Sequence, residues 1–149
     1  MHEQLSVDIE APPAKVWPYL VEPEKTMQWY GSLEKFEYAD AERGPDSTFY
    51  WEENVRGKIY SNHFQTTEWL EDRVFAFEAT SGNFFKTYTE RWSIEPTPTG
   101  SRFSFDGHLE FPYGPFGKVM GWVGSIMAKN SNQEILQNLK GLAEADAHP

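Results

Sequence analysis

Cysteine is absent from the 149 residues, so disulfides and thiolate chemistry are both excluded, and a reducing, cytoplasmic setting is the expectation. No apolar run approaches the ~20 residues that span a bilayer, so stable membrane insertion is not expected. Basic residues are few: 13 against 23 acids, a formal charge of −10. A net negative surface repels phosphate backbones, which argues against nucleic acid as a partner. The opening MHEQLSVDIEAP has acids where an export signal has bases followed by an apolar run, so export is not expected. Of the four histidines, His2 and His148 are terminal, and neither His63 nor His108 is spaced with a second ligand type; no metal site and no cofactor are expected. No G-x-S-x-G elbow is present either.

Aromatic residues are abundant, at 16% of the chain with 6 Trp, 7 Tyr and 11 Phe. They fit either a β-rich core or the wall of an apolar ligand cavity. The length suits one domain, residues 1–149, with no repeat or linker. Leu5, Val7 and Ile9 alternate with polar residues and predict a strand with one buried face. Pro13 suits the first position of a short helix with Val16, Trp17 and Leu20 on its apolar stripe, and Pro18 limits its run. Pro23 opens a second short helix ending near Trp29, with Gly31 as the stop.

From residue 32 to 111, turn signals such as ERGPDS, NVRG, LEDR, TSGN and PTPTG separate short alternating runs. That texture predicts an antiparallel meander of about six strands. Phe103, Phe105, Leu109 and Phe111 share one face of the last strand, opposite Arg102, Ser104, Asp106, His108 and Glu110. Gly107 lies in the apolar file, where it permits a bulge or bend. Tyr88, Glu90, Trp92 and Ile94 share a face of the preceding strand. In KIYSNHFQTTEWL both alternating sets contain apolar residues, so its buried face stays open.

Beyond Gly117 the pattern turns helical to about Glu144. At 100° per residue, Gly117, Gly121, Gly124, Ser125 and Ala128 line up with Ile135, Leu139 and Leu142. One face is thus small in its first half and large in its second, a pattern that leaves space between helix and sheet. Val119, Val123 and Ile126 form an opposite apolar face, open to a loop, a homodimer partner or transient membrane contact. The polar KNSNQ, 129–133, is a place where the helix can break. GPFGKV is not a phosphate loop: Val119 follows Lys118 where a hydroxyl is needed, and no glycine lies five positions before Gly117.

Three stretches in order, VDIEAPPAKVWPYLVEPEKTMQWY, RWSIEPTPTGSRFSF and the terminal LKGLAE, resemble the START/polyketide-cyclase (SRPBCC) superfamily over nearly the whole chain. The nearest subgroup is the polyketide cyclase/dehydrase and lipid-transport-like set. The resemblance implies an α+β helix-grip fold: a curved antiparallel sheet of about seven strands around a long C-terminal helix, with two short helices after the first strand. It implies binding or transport of a small hydrophobic or aromatic molecule. The alternatives are a metal-free cyclase, aromatase or dehydratase, and a chaperone-cofactor-like interaction role; the enzyme reading is the less favoured.

Ligand contacts are then expected at Tyr88, Glu90, Trp92, Phe103, Phe105, Met120, Gly121 and Gly124. Trp122, beside Met120, suits a cavity mouth, whereas Trp17 and Trp29 read as packing residues. Candidates for acid–base work are Glu90, Tyr88 and His63, because burial raises a carboxyl toward neutrality. Glu52 and Glu53 put one carboxylate on each strand face, and register decides which points inward. His108 reads as solvent-facing.

Overall fold

The computed structural model describes residues 2–82, 87–110 and 132–149. Strand β1 (His2–Ile9) leads into helices α1 (Pro13–Val21) and α2 (Pro23–Trp29). Six strands follow: β2 (Leu33–Tyr38), β3 (Thr48–Val55), β4 (Lys58–Leu70), β5 (Val74–Gly82), β6 (Thr87–Thr97) and β7 (Gly100–Glu110). The described part of the C-terminal helix, α3, spans 132–147. All pairings are antiparallel, in the order β1-β7-β6-β5-β4-β3-β2. The first strand therefore closes onto the last, and the remaining strands form the expected meander. This is the α+β helix-grip architecture.

Proline shapes the helical layer as its positions suggest. Pro13 and Pro23 each sit in the first turn, and Pro18 lies inside α1, which ends three residues later. The carbonyls at the end of α1 find donors on α2: Trp29 Nε1 donates to Tyr19 O at 2.7 Å, and Thr26 Oγ1 reaches Tyr19 O and Leu20 O. Trp29 is thereby fixed as well as buried, and Trp17 is buried on α1 against the Trp69 ring. Both are core residues.

Bulges explain the strands whose alternation fails. On β4, Thr66 pairs with Phe77 and Glu68 with Ala76, so Thr67 is an extra residue. The inward file therefore runs Asn62, Phe64, Thr66 and then switches parity to Trp69, which packs on Phe75 and Trp17. On β2, Glu34 is extra, which lets Leu33 and Phe36 both reach the core. Gly107 is not such a site, since β7 runs in register with β1 and β6 past it.

The core is a continuous aromatic cluster with Trp29, Trp51, Trp92, Phe64, Phe77 and Phe103 all buried. On α3 the deepest residues are Leu136, Leu139 and Ala143, with Ile135 and Leu142 flanking them. That line is rotated by a fraction of a turn from the expected Ile135–Leu139–Leu142 file, and it includes the small, fully buried Ala143. The helix runs to Ala147 rather than stopping near Glu144, and Asn132 and Gln133 are already helical. The rest of the break expected at 129–133 lies outside the described residues. So do the small face at Gly117, Gly121, Gly124, Ser125 and Ala128, the apolar face at Val119, Val123 and Ile126, and Phe111. Among the described residues no helix is long and apolar enough to cross a membrane.

One glycine is required by close approach. A Cβ on Gly100 would lie 2.3 Å from Ile9 O and 2.7 Å from Ala11 N, both backbone atoms of the chain leaving β1. Gly100→Ala should force the β1 and β7 ends apart and destabilise by about 3 kcal/mol, the upper range for overpacking. Urea unfolding monitored by circular dichroism checks this, and a change under about 0.5 kcal/mol would contradict the tight contact.

Candidate functional site

The inner face of the sheet is aromatic, yet alternation brings three glutamates onto it. On β3, Phe49, Trp51 and Glu53 point inward, so Glu53 is the buried member of the Glu52–Glu53 pair. Glu52 faces out, where its carboxylate is 4.0 Å from Lys35. On β6, Glu90, Trp92 and Ile94 are buried, with Tyr88 half-buried at the end of the same file. Glu90 stands opposite Gly107, where the Phe105 ring takes up the space a side chain would need: a Cβ there would lie 3.0 Å from Phe105 Cε1 and 4.0 Å from Glu90 Cγ. Glu3 on β1 faces Gly107 from the other side, and it accepts a hydrogen bond from Asn132 Nδ2 of α3 at 2.6 Å.

Two of these glutamates and two tyrosines converge. The Tyr88 hydroxyl lies 2.8 Å from Glu53 Oε1 and 3.1 Å from Glu90 Oε2. Trp92 Nε1 donates to Glu90 Oε1 at 3.3 Å, and the Tyr30 hydroxyl reaches the same oxygen at 3.5 Å. Burial disfavours the charged form of every acid in the group. It pushes Glu53 up to about 7 against a pull down from the Tyr88 hydrogen bond. It pushes Glu90 well above the usual carboxyl range, helped by the Glu53 charge. Tyr30 and Tyr88 are pushed up in turn, first by burial and then by the two carboxylates. At neutral pH the cluster thus contains carboxyl groups able to donate as well as accept, inside an apolar wall. That combination can orient a polar group or exchange a proton with one.

Of the sequence-predicted residues, the structure brings Tyr88, Glu90 and Trp92 into one contact group. Phe103 and Phe105 are buried on the adjoining strand β7. His63 is elsewhere: it is exposed on the outer face of β4, against the Tyr50 ring and 3.2 Å from Ser81 Oγ. It borders an open hollow of about 470 Å³ whose lining includes none of Glu53, Tyr88 or Glu90. His108 lies on the polar face of β7, 3.2 Å from Glu110. Met120, Gly121, Gly124 and Trp122 lie outside the described residues. Among the described residues no cluster of three or more His, Asp or Glu could hold a metal ion.

Sequence reasoning missed Tyr30 and left Glu53 undecided. For Glu53 a signal existed, since it shares parity with Trp51; for Tyr30, at the C-terminal end of α2, local pattern carries none. Two further donors, Asn62 Nδ2 and Trp51 Nε1, are buried on the same face without a hydrogen-bond partner among the described residues.

A family model described as polyketide cyclase / dehydrase and lipid transport matches residues 3–144. No match is found among curated proteins. Among solved structures, TTHA0849 from Thermus thermophilus superposes with a TM-score of 0.82 at 20% identity, covering 99% of each chain. The Zhui aromatase/cyclase from Streptomyces sp. R1128 gives 0.73 at 17%, covering 97% of this chain and 93% of that one. A START superfamily protein from Mycobacterium smegmatis gives 0.64 at 16%, covering 98% and 96%. Identities this low carry the fold and nothing finer.

Proposed function

Because the chain belongs to the polyketide cyclase/dehydrase and lipid transport family, whose membership implies a ligand-binding cavity, we propose that it binds a small hydrophobic or aromatic molecule, lipid-like or polyketide-like, between sheet and C-terminal helix. The supporting observation is the Glu53–Tyr88–Glu90 group set into an aromatic inner face. An apolar body fits the aromatic side chains, and a few convergent polar groups are what fixes such a ligand's orientation. Tyr88, Glu90, Trp92, Phe103 and Phe105 are the proposed contacts from the sheet, with Met120, Gly121 and Gly124 from the C-terminal segment. Cytoplasmic residence goes with this reading, on the cysteine-free composition.

The same group favours a second reading, a metal-free cyclase or dehydratase. Two carboxyls bridged by one phenol can pass a proton without solvent, and Glu53 then joins Glu90 and Tyr88 as a proton-handling group. The interaction role and the homodimer rest on Val119, Val123 and Ile126, and no described contact favours them.

Native mass spectrometry of protein purified from its own host tests both. A single small molecule released on activation is expected. If Tyr88→Phe releases the same molecule, carriage holds; if it releases one heavier by a water, dehydration holds. Protein that arrives empty and takes up no apolar probe would sink both readings.

A further inference from the structure

A phenol carries one proton, yet the Tyr88 hydroxyl is within hydrogen-bond distance of both Glu53 and Glu90. It donates to one of them, so the other contact needs a proton supplied by the carboxyl. The second oxygen of Glu90 decides which. Glu90 Oε1 faces the Trp92 indole N–H, a group that only donates, and the Tyr30 hydroxyl as well. Oε1 is therefore an acceptor, and the proton of Glu90 sits on Oε2, against Tyr88. Donors then run in one direction: Glu90 to Tyr88, and Tyr88 to Glu53. The chain ends on Glu53, which takes Tyr88 on Oε1; among the described residues no side chain donates to its other oxygen.

We propose that the site recognises its molecule through a neutral hydroxyl donated to Glu53, and selects such molecules over carboxylates and over ethers of the same shape. This deepens the ligand-binding reading above and rests on it. The other titratable groups on this face are Tyr30 at the end of α2, Tyr60 directly opposite Glu53 on β4, and Glu3 across Gly107 from Glu90. Among the described residues no cation contacts either carboxyl, so a ligand carboxylate would add a third acid to two uncompensated ones.

Three naphthalenes on the full chain test it: 2-naphthol, 2-methoxynaphthalene and 2-naphthoate, titrated calorimetrically. The expected result is 2-naphthol binding at least about tenfold tighter than either of the others. Its advantage should grow as pH rises through about 7, where Glu53 ionises. Glu90→Gln should keep the preference, because the amide NH₂ donates to Tyr88 and its oxygen accepts from Trp92. Glu53→Gln should abolish it, because its oxygen takes Tyr88 and its NH₂ then faces the ligand, donating to hydroxyl, ether and carboxylate oxygens alike. Circular dichroism establishes that both isosteric variants fold. The opposite pattern, loss of the preference in Glu90→Gln with Glu53→Gln silent, would overturn the direction of the chain. Equal binding of all three probes would overturn hydroxyl recognition while leaving the cavity. Failure of every probe, with nothing released in the native spectrum, would remove the cavity reading too.

Discussion

Replacing Trp92 by alanine should lower stability by about 3–5 kcal/mol, the usual range for deleting a fully buried tryptophan. Trp92 has no exposed surface, and its ring lies 5.2 Å from Trp29, 5.2 Å from Phe77 and 5.7 Å from Phe75. The size of the effect depends on whether those neighbours can collapse into the space. Trp29 cannot move freely, since its indole holds the carbonyl at the end of α1. Phe75 and Phe77 are fixed by pairing of β5 with β6. A void therefore persists, and a domain of this size has only about 5–15 kcal/mol to lose. Trp92→Phe keeps most of the packing and removes only the N–H donated to Glu90, so it should lose much less. Urea denaturation with a circular-dichroism readout separates the two variants. A loss below about 1 kcal/mol for the alanine variant would show that the cluster repacks.

Where neighbouring residues alone determine which way a side chain points, the fold was legible. β1, β6 and β7 alternate without interruption, so Ile9, Glu90, Trp92, Phe103 and Phe105 were placed correctly from parity. Prolines at 13, 18 and 23 marked both short helices. Legibility failed where an extra residue flips the face midway, at Thr67 on β4 and Glu34 on β2, because bulges are set by pairing across the sheet. The site follows the same division. Tyr88 and Glu90 were found as neighbours on one strand, whereas Glu53 and Tyr30 join them from 35 and 60 residues away. His63 was credible as a mid-strand imidazole, but parity on β4 puts Asn62 and Phe64 inside and leaves His63 out. The ligand wall expected from Met120, Gly121 and Gly124 lies outside the described residues and stays a proposal.

Stability should fall as pH rises from about 4.5 to about 7, the reverse of the trend set by ion-paired carboxylates. Glu53 has its ordinary value of 4.5 in the unfolded chain and about 7 in the fold. Between those limits the native state holds a proton that the unfolded state has released, so unfolding becomes easier with each pH unit. Over 2.5 units that amounts to about 3 kcal/mol from Glu53 alone, at about 1.4 kcal/mol per unit. Glu90, also raised by burial and by the Glu53 charge, adds to the decline. The growing net charge, −10 at pH 7, acts in the same direction. Below about 4.5 the slope inverts, because Asp8, Asp106 and Glu144 are held below their ordinary values by Arg102, by Gln4 and His2, and by Lys140, and protonation removes those contacts. Maximum stability is therefore expected on the mildly acidic side, near the isoelectric point by coincidence of two separate causes. Urea midpoints measured from pH 4 to 8 test this, and Glu53→Gln should flatten the decline. A wild-type curve that rises steadily through this range would mean that the carboxyl pair is solvated or paired with a cation in solution. Two acids that weaken the fold at neutral pH make no sense as structural elements, since a leucine of similar volume would serve better. The ligand contact proposed above would account for their presence in the aromatic interior.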